Sequence, residues 1–168
     1  GSFLKGLAED SNDPAQLRGA IEVFSQAIEL HSNYSSAYME RGWTRYRLGV
    51  ATQDTAPMML AESDLREAIR VAPTRFHLRV VLGIILEGTG RPRLAIEAFE
   101  GEIELRPDHF DAYVRAIGTR LRLKDNERAR ELIDLATQKF GDQPLLRQCR
   151  AALRKAEAAV AELKAQLK

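Results

Sequence analysis

Apolar residues recur along this chain at three- and four-residue spacing, and the runs break at short polar corners. That period is the mark of amphipathic helices, each with one apolar stripe to bury. No run of alternating β-branched residues and no Asn-Gly or Asp-Gly turn interrupts it, so strands are not expected. Helix starts are readable in places. Asp13 followed by Pro14 reads as an N-cap with proline at the first helical position, and Pro57 in "APMM" is given the same place. "APTRF" and "RPDHFDAY" supply a proline just beyond a helix end, where its missing N–H is harmless.

The helical pattern repeats. "AIEVFSQAIELHSN" from Ala20, "AESDLREAIRVAPT" from Ala61 and "AIEAFEGEIELRPD" from Ala95 align with a small residue first and apolar residues four, eight and ten positions on. "ARELIDLATQKFGD" from Ala129 fits more loosely, and the steps between the four lines are 41, 34 and 34 residues. A second helical pattern precedes each of the last three: "SSAYMERGWTRYRLG", "FHLRVVLGIILEGTG" and "FDAYVRAIGTRLRLK". Two helices per 34 residues is the signature of a solenoid, in which each repeat buries its face against its neighbours.

At this point the chain resembles the tetratricopeptide repeat family. Tyr38 stands at that family's large-aromatic position and Gly42 at its close-packing one; Leu82 and Gly83 match the Leu-Gly pair of the next unit. Ala20, Phe24 and Ala27, then Ala61, Leu65, Ala68 and Pro73, then Ala95, Phe99 and Pro107, match the small, large and terminal positions. Departures are Glu102 in place of an alanine, Ile117 in place of the close-packing glycine and Gly141 in place of the proline. The resemblance implies an all-α, right-handed helical-hairpin solenoid with a long C-terminal capping helix. Residues 1–143 divide into three to four repeats, about 3–34, 35–75, 76–109 and 110–142. The first has a short leading helix over Phe3–Glu9, and the second carries seven extra residues as an inserted loop at 49–59. Residues 144–168 form the capping helix.

The resemblance also implies a function, because the first helix of each unit in this family lines a concave groove that holds partner proteins. Carried over position by position, the second unit offers Ser36, Met39, Trp43, Tyr46 and Arg47. The third offers His77, Val80, Ile84 and Glu87; the fourth offers Asp111, Val114, Leu121 and Arg122, with Arg115 beside them. Met39, Val80 and Val114 are expected to form an apolar column flanked by Trp43 and Ile84. Aromatic, Met and Arg side chains are what protein-binding surfaces enrich. The expected ligand is therefore a peptide or helix of another protein with apolar anchors. Family members that grip acidic chaperone tails use a clamp of lysines and asparagines; Met39, Trp43, His77 and Val81 at those positions argue against it here.

The capping helix raises an alternative. Leu146, Cys149, Leu153, Ala156, Val160, Leu163 and Leu167 alternate by three and four, the spacing of a heptad seam. Beyond Ala156 the helix outruns a family helix, so Val160, Leu163 and Leu167 could pair a second copy of the chain as a homodimer. In that reading the chain is a structural or regulatory segment of a larger protein. The leading Gly1–Ser2 reads as a cloning scar, so flanking sequence and any targeting signal are expected to be missing.

Composition narrows the function further. The net charge is +1, with 8 bases and 10 acids up to residue 75 and 17 and 14 beyond it. No long-range field favours nucleic acid. A single cysteine excludes a disulfide framework and fits a reducing, cytoplasmic setting. No apolar run approaches the ~18 residues that span a bilayer. His31, His77, His109 and Cys149 have no metal-ligand spacing, and no nucleophile comes with a base, so neither enzyme chemistry nor a cofactor is expected. One stretch invites a different thought: "GTGRPRLAIEAF" places a glycine-rich loop before a helix, where phosphates bind. The corresponding corners "RLGVATQ" and "RLKDNE" have fewer glycines or none, so the stretch reads as a turn of the scaffold.

Overall fold

The computed structural model describes residues 12–166; the leading helix expected over Phe3–Glu9 and the seam residue Leu167 lie outside them, as does the side chain of Leu163. Among the described residues there are eight helices and no strand. They are α1 (Pro14–Leu30), α2 (Ser35–Thr52), α3 (Thr55–Val71), α4 (Leu78–Gly88), α5 (Pro92–Leu105), α6 (Phe110–Arg122), α7 (Asn126–Phe140) and α8 (Pro144–Gln166). Packing divides the chain into two compact units, Gly1–Arg91 and Pro92–Lys168, each taken by itself here. The division falls inside the expected third repeat.

The repeating positions are the buried ones. The small residues that recur in the second helix of each repeat, Ala20, Ala61, Ala95 and Ala129, are buried, and so are Phe24, Leu65, Phe99 and Ile133 four positions on. In the first unit, Gly42 of α2 lies so close to α3 that an added Cβ would collide with the Leu65 side chain and come within 3.0 Å of the Ala61 carbonyl oxygen. The same two helices are tied by charge. Asp64, only 4% exposed, accepts from Arg41 Nη2 at 2.7 Å and from Arg45 Nη1 at 2.6 Å. Arg41 also donates to Ser25 Oγ of α1 at 3.1 Å, so one guanidinium spans three helices. A carboxylate this deeply buried is tolerable only when paired in this way.

The core of the second unit gathers Tyr113, Ile117, Ile133 and Ala136 with Leu146 and Leu153 of α8. Phe140 meets the rings of Phe110 and Tyr113 edge-on, at 5.1 and 5.3 Å between centroids. Glu102 replaces the usual alanine and is fully buried, with Oε1 3.0 Å from both Arg106 Nη1 and His109 Nδ1. Cys149 packs against the same core, and burial pushes its thiol up from the ordinary value against a smaller opposing effect of a backbone hydrogen bond. Glu157 of α8 pairs with Arg130 of α7; Ala158 to Glu162 are exposed beyond that tie.

Two kinds of corner alternate. Between α2 and α3, after α4, and between α6 and α7, the helix ends in a Schellman motif built on a left-handed residue: Gln53 (φ 55°), Gly90 (φ 76°) and Lys124 (φ 59°). At Gly90 the two defining bonds are Gly90 N to Glu87 O at 3.0 Å and Arg91 N to Leu86 O at 2.8 Å. Arg91 further pairs with Glu62 of α3, so the glycine-rich stretch is a helix-ending corner secured by an ion pair. The other corner is a turn closed by Tyr34 N to His31 O, Arg75 N to Ala72 O, and His109 N to Arg106 O, each at 3.0 Å.

The inserted loop expected at 49–59 is not a loop. α2 continues to Thr52 and α3 begins at Thr55, so the seven extra residues lengthen both helices around a two-residue corner. Asp54, whose side chain accepts from Ala56 N at 2.9 Å, is the N-cap of α3. Pro57 is thus its third residue rather than its first, still within the turn whose N–H groups have no intrahelical partner.

Two outcomes follow from these corners and this core. Lys124→Gly relieves a left-handed non-glycine residue and should raise unfolding stability by about 0.5 to 1 kcal/mol, whereas Gly90→Ala should lower it by about 1 kcal/mol, both read by urea denaturation. The raised Cys149 pKa leaves less thiolate at any given pH below it. Its reaction with a disulfide reagent at neutral pH should therefore be slower than that of free cysteine, and faster once urea unfolds α8.

Candidate functional site

The first unit carries an open groove of about 610 Å³. Its floor is apolar: Phe24 and Ala27 from α1, Ala37 and Met39 from α2, and Val81 from α4. Two aromatic side chains stand at its walls, Tyr34 from the corner before α2 and Phe76 from the corner before α4, 39% and 48% exposed. Glu40 and Arg75 supply charge at its edge, and His77 an imidazole. The volume lies in the range of sites that hold peptide side chains or small ligands.

Helix starts explain which side chains reach the groove. α2 begins at Ser35, whose Oγ donates to the Ala68 carbonyl at 3.0 Å and fixes the helix against the end of α3. From that start Ser36, Met39 and Glu40 line the groove, while Trp43, a turn beyond Met39, is half-buried. The Trp43 and Tyr46 rings stack at 5.6 Å between centroids. Tyr46 continues onto the end of α4, where Gly88 leaves room for its ring and hydroxyl. Arg47 donates to Asn12 Oδ1 at 3.2 Å, so it ties α2 to the approach of α1. α4 begins one residue after His77, which is held left-handed at φ 68°.

That start displaces one expectation. Val80 is buried in the core with Leu78 and Leu82 and is not one of the residues that line the groove. His77 and Val81 line the groove instead, and Ile84, three residues beyond Val81 on the same helix face, is half-buried. The column expected from Met39, Val80 and Val114 therefore loses its middle member. Of the remaining positions, all in the second unit, Val114 is half-buried and Leu121 packs against the core. Arg115 donates to Asp111 at 2.7 Å, and Arg122 to Thr119 Oγ1 at 3.1 Å. Val160 on α8 is 42% exposed.

The sequence reading missed Tyr34, Arg75 and Phe76, the corner residues of the groove. The available signal was an aromatic residue at a corner otherwise made of polar residues. Elsewhere the electrostatics are those of paired helix surfaces. Burial tends to raise the Glu62 carboxyl, but hydrogen bonds from Arg66 and Arg91 outweigh it and hold it below its ordinary value. Arg120, desolvated but bonded to Glu100 and Asp125, is raised. Among the described residues no group of three or more His, Cys, Asp or Glu could hold a metal ion, and no helix is long and apolar enough to cross a membrane.

Solved structures share this architecture. An O-GlcNAc transferase mutant from Thermobaculum terrenum superposes with a TM-score of 0.62 at 20% identity, over 82% of this chain and 26% of that one. A structure of MamA (MSR-1) gives 0.58 at 20% identity, over 73% of this chain and 66% of that one. YrrB, described as a TPR protein with an unusual peptide-binding site, gives 0.51 at 21% identity, over 90% and 98% of the two chains. The fold is tetratricopeptide-like. No protein-family model and no curated protein sequence matches the chain. It spans about a quarter of the transferase and two thirds of MamA, so the tetratricopeptide-like fold is what is common to them.

The contact between Tyr46 and Gly88 gives this face a direct test. Gly88→Ala forces the Tyr46 ring to move and should cost about 1 kcal/mol. Because Tyr46 stacks on Trp43, the emission of Trp43, the single tryptophan, should change in the folded protein.

Proposed function

We propose that this chain is a protein-interaction module that holds an apolar-anchored peptide or helix of another protein in the groove of its first unit. The observation that carries the reading is an apolar floor of Phe24, Ala27, Met39 and Val81 left open between walls of exposed Tyr34 and Phe76. Exposed aromatic groups around an apolar depression are the usual anchor points of protein interfaces. The peptide-binding site in the description of YrrB supports the same reading for a chain of this fold. The proposal is of a non-catalytic module.

A second reading, self-association through Val160, Leu163 and Leu167, rests on the exposure of Val160 on the last turns of α8. Three seam residues amount to about one heptad, short of the three or four that sustain a coiled coil. The groove is therefore favoured on magnitude.

Methyl-resolved NMR separates the two readings in one sample. Adding a pool of short leucine- and phenylalanine-anchored peptides should shift Met39, Val81 and Ile84 and leave Val160 unmoved. Val81→Asp, or Met39→Asp should Val81→Asp unfold, should weaken binding about tenfold or more. Shifts that instead appear at Val160, Leu163 and Leu167 as protein concentration rises would favour self-association.

A further inference from the structure

Glu40 and Arg75 both line the groove, yet among the described residues Arg75 makes no ion pair with it or with any other acid. Five guanidiniums of the first unit are paired with acids: Arg41 and Arg45 on Asp64, Arg66 and Arg91 on Glu62, Arg70 on Glu67. Arg79 donates to the Pro73 carbonyl at 2.5 Å. Arg75 lines the groove and is exposed, yet among the described residues its side chain has neither an ion pair nor a hydrogen bond.

The repeat explains why. Tyr34, Arg75 and His109 occupy one and the same corner position, each closing its turn by a backbone bond three residues back. In the second unit the side chain at this position is answered from within, because His109 Nδ1 lies 3.0 Å from the Glu102 carboxylate seven residues before it. The residue seven before Arg75 is Ala68, which is fully buried and offers no carboxylate. The first unit thus keeps a cation at this corner without the acid seven residues before it, beside an apolar depression that is open.

We infer that Arg75 receives a side-chain carboxylate of the partner, so that the segment recognised is an apolar anchor with Asp or Glu close to it in sequence. The inference rests on the groove being the binding site. A guanidinium presents a planar fork that matches one carboxylate in two parallel hydrogen bonds. The apolar floor excludes water from one side of the pair, which strengthens it relative to a pair in open solvent.

The test is selection from a random peptide library displayed as an internal loop, so that neither peptide end is free, against the whole chain. Recovered sequences should be enriched in Asp or Glu near a Leu, Ile, Phe or Trp. Arg75→Glu should weaken the best acidic peptide about fivefold in fluorescence anisotropy and should favour its Asp→Lys or Glu→Lys counterpart. Peptides recovered without acidic enrichment, yet lost with Val81→Asp or Met39→Asp, would overturn the charge rule and leave the groove standing. Recovery of nothing, or binding indifferent to Val81→Asp and Met39→Asp alike, would overturn the groove reading itself. A wild-type dimer that Val81→Asp makes monomeric in light scattering would show a second copy in the groove and end the inference.

Discussion

How closely two helices can approach decides everything else in this chain. The closest approach needs small residues at the contact, and the repeat sets a small and a large residue four positions apart on one buried face of each second helix. Ala20 with Phe24, Ala61 with Leu65, Ala95 with Phe99 and Ala129 with Ile133 are all buried, while the residue ten positions after each alanine is not required to be. Leu30, for example, is 77% exposed. Gly42 carries the requirement furthest, because the Leu65 side chain and a backbone oxygen of α3 occupy the space its Cβ would need. With α2 and α3 that near, Asp64 comes within reach of Arg41 and Arg45, and the ion cluster becomes affordable to bury. The groove is a secondary product of the same arrangement: it opens where α1, α2 and the start of α4 leave a floor that none of them covers.

Much of this could be read from the chain, because the cause is periodic. Among the described residues the order of the helices and the buried small positions follow from spacing, and the Asp13 cap from an Asp standing before a Pro. The single-residue error at Val80 shows where spacing stops being enough. Its face depends on where α4 starts, and that is set by His77 adopting a left-handed backbone, a conformation its residue type does not announce. The corner between α2 and α3 misleads for the opposite reason. "ATQDTAP" has the composition of a loop, yet Asp54 caps a helix and Pro57 sits where helices tolerate it. The candidate site was legible on its helical side, in Met39 and His77, and illegible on its corner side. Tyr34, Arg75 and Phe76 belong to turns, whose side chains have no period to read.

The two corner types differ in what they leave free to vary. Schellman corners satisfy the helix end with backbone bonds, so Gln, Gly and Lys can all stand there at modest cost. The other corner keeps its backbone turn constant while its side chain is free to differ. Tyr34 is an exposed aromatic, Arg75 an exposed cation and His109 a buried partner of Glu102. One backbone scaffold thereby presents three chemistries at equivalent places.

The lengthened hairpin of α2 and α3 has a consequence of a geometric kind. An α-helix turns once in about 3.6 residues, so seven added residues shared between two helices amount to about one full revolution of each. A whole revolution returns every side chain to the bearing it had before. The faces of α2 and α3 that meet α1 and α4 therefore keep their orientation, and only the tip around Gln53 and Asp54 is carried outward. Four or five residues at that place would instead have rotated one helix against the other and aimed Leu65 away from Gly42. Length in this scaffold is thus quantised at the hairpin tips, and it can grow there without disturbing what the rest of the unit packs or presents.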